Sequence, residues 1–118
     1  MTSEIELLIQ EFNEKKAEEV VCVDLDHPKH PVADYVIIAS SLNDVHLKSL
    51  VDHIQRFYKD NKNDKLNQLD FVGTSGKPDS KWVLLDFNDL IIHIMDQSIR
   101  SQYDFDNLFA EYEIYRYH

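Results

Sequence analysis

Glycine is nearly missing from this chain: its 118 residues contain only Gly73 and Gly76. A dinucleotide-binding fingerprint needs more glycines than that, and a P-loop needs a spacing this pair does not have. Cys22 is the single cysteine, so an intrachain disulfide, a Cys-x-x-Cys zinc site and a redox pair are all excluded. That usage fits a reducing compartment, and a cytoplasmic location is expected. Long apolar runs are also missing. The longest, Tyr35 to Ala39, is five residues, where a membrane helix needs about twenty. No membrane association is expected. Positive charge is scarce: 12 Lys and Arg stand against 22 Asp and Glu, a net charge of −10.

That charge argues against direct, sequence-specific binding to nucleic acid, whose phosphates are met by Lys and Arg. Lys59, Lys62 and Lys65 cluster, but Asp60 and Asp64 are interleaved, as on the solvated end of a helix. An acidic chain working near nucleic acid is expected to dock on a basic protein, with charge steering the encounter. The start, Met1-Thr2-Ser3-Glu4 with Glu6 and Glu11 following, has neither the basic, apolar pattern of a signal peptide nor the Arg-rich pattern of a transit peptide. Hydrophobic residues make up 43%, enough for one core in one domain of ordinary size.

The periodicity predicts a mixed α/β domain. Ser3-x-x-Glu6 has the form of a capping box, and Ile5, Leu8, Ile9 and Phe12 recur at helical spacing up to about Glu18 or Glu19. Val20 to Leu25 and Asp34 to Ala39 read as strands buried on both faces, separated by a loop around Pro28 and Pro31. A second capping pattern, Ser41-x-x-Asp44, precedes the clearest helix, with Leu47, Leu50, Val51, Ile54, Phe57 and Tyr58 on one face. Leu69 to Gly73 reads as a short strand, Lys81 to Phe87 and Leu90 to Met95 as longer ones, and Phe105 to Glu111 as a helix. The expected order is αββαβββα around a mixed five-stranded sheet.

Asn88-Asp89 reads as the turn of a hairpin. That register pairs Phe87 with Leu90, Asp86 with Ile91, Leu84 with His93 and Trp82 with Met95. Opposed residues share a face. One face is then Val83, Leu85, Phe87, Leu90, Ile92 and Ile94, which must be core. The other carries Trp82, Leu84, Asp86, Ile91, His93 and Met95. A one-residue slip would expose the apolar set. A face mixing a large aromatic, a carboxylate, an imidazole and a thioether fits a protein interface. It equally fits a helix-covered face with an Asp86–His93 hydrogen bond.

Other candidates have plainer readings beside the functional ones. Asp24 and Asp26 form Asp-x-Asp at a strand end, a pattern usable by a metal-dependent nucleotidyl or phosphoryl transferase. The plainer reading is two acids at a strand exit. His27-x-x-His30 has ligand spacing but sits in a proline-bounded loop. His46 and His53 share a side of the long helix and read as solvated. Ser40 and Ser41 precede a helix N-terminus that offers amides to an anion, though capping accounts for Ser41. Cys22 reads as an inert buried thiol. No metal and no cofactor is expected.

Four segments, in order, resemble one family. They are Lys15 to Leu25 (KKAEEVVCVDL), Val32 to Ser40 (VADYVIIAS) with His46 after it, Trp82 to Ile94 (WVLLDFNDLIIHI), and Arg100-x-x-Tyr103-Asp104-Phe105-Asp106-x-Leu108-Phe109. The chain is similar to the ribosomal silencing factors, the RsfS or Iojap-like family. The resemblance implies a nucleotidyltransferase-like topology without the catalytic motif, in a domain spanning 1–111, with a Tyr-rich tail at 112–118 outside the match. It implies a non-enzymatic protein, homodimeric when free, that binds ribosomal protein fourteen of the large subunit. There it blocks joining of the small subunit and lowers translation when nutrients are short. Trp82, Asp86, Asp89 and His93, with Tyr35 and Tyr103 behind them, are the residues expected to contact the ribosomal protein or a second subunit. The chain departs from the family pattern in lacking a Gly after Ser40, in having Asn88-Asp89 for Gly-Asp, and in having Phe109 for Trp. Asn can still supply a left-handed turn.

Overall fold

A computed structural model describes residues 2–26 and 28–117. The strands are β1 (Glu18–Asp24), β2 (Tyr35–Ser41), β3 (Gly73–Ser75), β4 (Trp82–Asp86), β5 (Leu90–Asp96) and β6 (Glu113–Tyr117). The helices are α1 (Thr2–Glu14), α2 (Asp44–Asn61), α3 (Gln97–Arg100) and α4 (Phe105–Leu108). One sheet runs in the order β3-β4-β5-β2-β1-β6. β2 and β5 pair in parallel, and among the described residues every other neighbouring strand pair is antiparallel. The sheet is therefore mixed, as expected, with six strands rather than five. The added strand is the Tyr-rich tail, which pairs along β1 from Val20↔Tyr117 to Asp24↔Glu113.

Two apolar clusters lie on opposite faces. On one, α1 and α2 cover the sheet, joining Leu8 and Phe12 with Leu50 and Ile54 over Ile37, Leu85 and Ile92. On the other, Val21, Val23, Val36, Ile38, Ile91 and Met95 pack with Leu25 and Ala33 of the β1–β2 connection and with Ile99, Phe105, Phe109 and Tyr112 of the C-terminal segment. The predicted hairpin register holds pair for pair, with its all-apolar face in the helix-covered core. Asn88 takes the left-handed turn at φ 67°.

Neither predicted capping box forms. Helix α1 already includes Thr2, and Ser3 Oγ bonds the neighbouring Glu4 carboxylate instead. Ser41 ends β2 fully buried, and Asn43 caps α2 by accepting from the His46 amide at 2.8 Å. Asn43 is one of the best N-cap residue types, and strand pairing with Asp96 holds Ser41 in the sheet. Helix α1 also stops at Glu14, earlier than its pattern predicts. Ala17 N–H bonds Phe12 C=O and Lys16 N–H bonds Asn13 C=O, with Lys16 at φ 62°, the reversal that closes many helices with glycine. The short strand predicted at Leu69 to Gly73 begins only at Gly73, because Leu69 leaves the ladder to fill the core. Helix α4 ends at Leu108 rather than Glu111, and the chain turns into β6.

A candidate docking face on the hairpin

Because Trp82, Leu84 and His93 alternate with core residues, they project onto the thinly covered face. Trp82 Nε1 donates to His93 Nδ1 at 3.0 Å, and the rings meet edge to face at 5.7 Å between centroids. His93 Nδ1 is thus an acceptor, so its proton sits on Nε2. Burial disfavours the imidazolium and pushes the His93 pKa down to about 4. Tyr103 packs edge to face on Trp82 at 5.1 Å and continues to Phe105 at 5.9 Å. Tyr103 is 50% exposed and Leu108 is 66% exposed, so an aromatic and apolar ridge faces solvent.

The ridge is held down by Arg100. Its guanidinium donates to Ser40 Oγ at 2.9 Å and lies 5.7 Å over the Phe105 ring. Burial lowers the Arg100 pKa, and the Glu19 and Asp106 carboxylates counter that. This clasp joins two residues that are sixty positions apart and that no local motif links. Its signal was Ser40, one of two buried serines that close an apolar strand, which asks for a polar partner. Asp104 caps α4 by accepting from Asn107.

The structure separates the other expected site residues. Asp86 does not bond His93. Its carboxylate accepts the Asn88 amide at 2.8 Å and shapes the turn. Asp89 follows in the turn, and its carbonyl accepts the amides of Asp34 and Tyr35 at 2.9 and 3.1 Å. Asp86 lies on the Trp82 face by strand alternation, at the turn end of the hairpin where Asp89 follows. Tyr35 packs against the helix-covered cluster, away from Trp82. Asp24, Asp26 and Asp34 lie at the same end of the sheet, where Lys29 pairs with Asp26 and Asp34.

The remaining candidates have structural roles. Asp24 Oδ1 accepts the Asp26 amide at 2.9 Å, and among the described residues no three His, Cys, Asp or Glu side chains are placed to hold a metal ion. His27 lies outside the described residues, and His30 Nδ1 accepts the Val32 amide. His46 and His53 are not solvated bystanders. His46 links the Leu42 amide to the Lys15 carbonyl, and His53 bonds Glu11 at 2.8 Å, so both tie α2 to the α1 region. Cys22 is a buried thiol pushed up to about 12, by burial first and then by Asp24.

A family model described as "Ribosomal silencing factor during starvation" matches residues 2–116. The chain belongs to the RsfS family. Among RsfS relatives, the Bacillus subtilis ribosomal silencing factor RsfS is 25% identical over 99 residues, covering 84% of this chain and 78% of its own. The Chromobacterium violaceum RsfS is 26% identical over 105 residues, covering 88% and 80%. A mouse protein named "Mitochondrial assembly of ribosomal large subunit protein 1" is 26% identical over 107 residues, which are 91% of this chain and 45% of the mouse protein. The RsfS fold recurs in a Chromobacterium violaceum crystal structure with TM-score 0.78 at 23% identity, covering 93% of this chain and 86% of that one. A Bacillus halodurans structure gives 0.73 at 18% identity, covering 92% and 94%. Among the described residues no helix of this RsfS chain is long and apolar enough to cross a membrane.

Proposed function

We propose that this RsfS chain binds the large ribosomal subunit through ribosomal protein fourteen and thereby blocks joining of the small subunit, lowering translation when nutrients are short. The family match over residues 2–116 carries the reading. The docking face supports it. Trp82 and Tyr103 meet edge to face on it, and Asp86 and Asp89 lie at the hairpin turn. An aromatic anchor beside carboxylates suits a basic protein surface. The mouse relative's name points to the large subunit as well. The action is steric and non-enzymatic. In the same reading the protein is cytoplasmic, and the free form is a homodimer that hides the Trp82 face until the ribosomal protein displaces the second copy.

The test is a sucrose-gradient joining assay with purified small and large subunits. Added protein should migrate with the large subunit and deplete joined ribosomes, and Trp82→Ala should restore them. Undiminished joining at saturating protein would overturn the proposal.

A further inference from the structure

A cleft of about 350 Å³ opens between the start of α1 and the acidic end of the sheet, on the face opposite Trp82. Its lining includes Glu6, Cys22, Asp24, Tyr35, Tyr115 and Tyr117. Strand pairing explains the convergence. Asp24 opposes Tyr35 across β1 and β2, and Cys22 opposes Tyr115 across β1 and β6. Opposed residues share a face, so the tyrosine rings gather beside the two carboxylates. Arg116 alternates to the other side of β6 and pairs with Asp106 at 2.7 Å. The lining among the described residues contains no Lys or Arg. The phenols register the local field. Glu113 raises the Tyr115 pKa, with burial and Asp24 adding to it, and burial followed by Cys22 and Glu6 raises that of Tyr117.

Aromatic faces beside carboxylates form a receptor for an organic cation. A guanidinium fits better than an ammonium, because its plane stacks on a tyrosine while its N–H fork meets carboxylates. The cleft also adjoins an open edge. Among the described residues β6 is the outer strand of the sheet, an edge of the kind that takes an extended segment. We propose that this cleft receives the arginine side chain of an extended basic segment in a partner protein. The site is separate from the Trp82 face, and its test does not depend on the ribosomal reading.

The probe is an acetylated, amidated pentapeptide alternating arginine and alanine, with the citrulline version as its neutral isostere. Both are titrated into the ¹⁵N-labelled protein. The arginine peptide should shift amides of β6 and of Cys22, Asp24 and Tyr35, and should bind at least tenfold more tightly than the citrulline peptide. Tyr115→Leu, at an exposed position, should weaken binding several-fold, and Tyr115→Phe should retain it. No shift at millimolar peptide, equal affinity for the two peptides, shifts confined to the Trp82 face, or full affinity in a folded Tyr115→Leu protein would each overturn the proposal.

Discussion

His93 connects burial to pH. Its folded pKa of about 4 lies well below the ordinary histidine value. The folded protein keeps the ring neutral, while the unfolded chain takes up a proton once the pH falls below about 6.5. Stability is therefore full above that pH and is lost as pH falls toward 4, by up to about 3 kcal/mol. Urea unfolding at several pH values should show the loss, and His93→Gln should flatten the curve between pH 6.5 and 4. Trp82 shares the bond and the face. Trp82→Ala should cost about 2 kcal/mol, less than a fully buried tryptophan, while Trp82→Phe should keep most of the stability. Both should weaken large-subunit binding, and an unchanged Kd would remove Trp82 from the interface. Glycine scarcity also leaves a trace at this scale. Lys16, Glu19, Lys81 and Asn88 all adopt positive φ, a conformation that costs about 1–2 kcal/mol in ordinary residues.

At the scale of elements, the hairpin was the most legible part of the chain. Strict alternation on both sides of Asn88-Asp89 left one register that buries the apolar set, and that register is the one observed. The hairpin also depends on a glycine. Gly76 has φ 81°, and a Cβ there would collide with the Trp82 carbonyl oxygen. Gly76→Ala should lower stability by more than about 1 kcal/mol and shift the Trp82 indole resonance. A variant with unaltered melting and spectrum would contradict that geometry. Helix ends were less legible. Local sequence offered Ser3 and Ser41 as caps, but the strand ladder took Ser41, and α1 was closed by a reversal at Lys16. β6 was missed although Glu113-Ile114-Tyr115-Arg116-Tyr117 alternates and is rich in β-formers. An edge strand shows its identity only once β1 is there to pair with it. Removing residues 113–118 should lower the melting temperature by at least about 5 °C, because it uncovers the β1 edge. A truncated protein with unchanged melting would make the tail dispensable to the fold.

For the whole molecule, the net charge of −10 matters less than where the acids fall. Asp24, Asp26, Asp34, Asp86 and Asp89 collect at one end of the sheet, because β1 and β4 finish there while β2 and β5 begin there. The composition showed an acidic chain, but only the strand order shows an acidic end. The same limit applied to the site. Trp82, His93 and Tyr103 were legible and come together, while Tyr35 was grouped with them and lies on the other face. No local pattern says which face of β2 a residue takes when both faces are buried. In the proposed function, the Trp82 face holds the large ribosomal subunit with help from charge. The most direct measurement is co-sedimentation of the purified protein with isolated large subunits at low and moderate salt. Binding is expected at low salt, weakening as salt rises and lost in Trp82→Ala. Absence of binding at either salt, or binding untouched by the substitution, would contradict it.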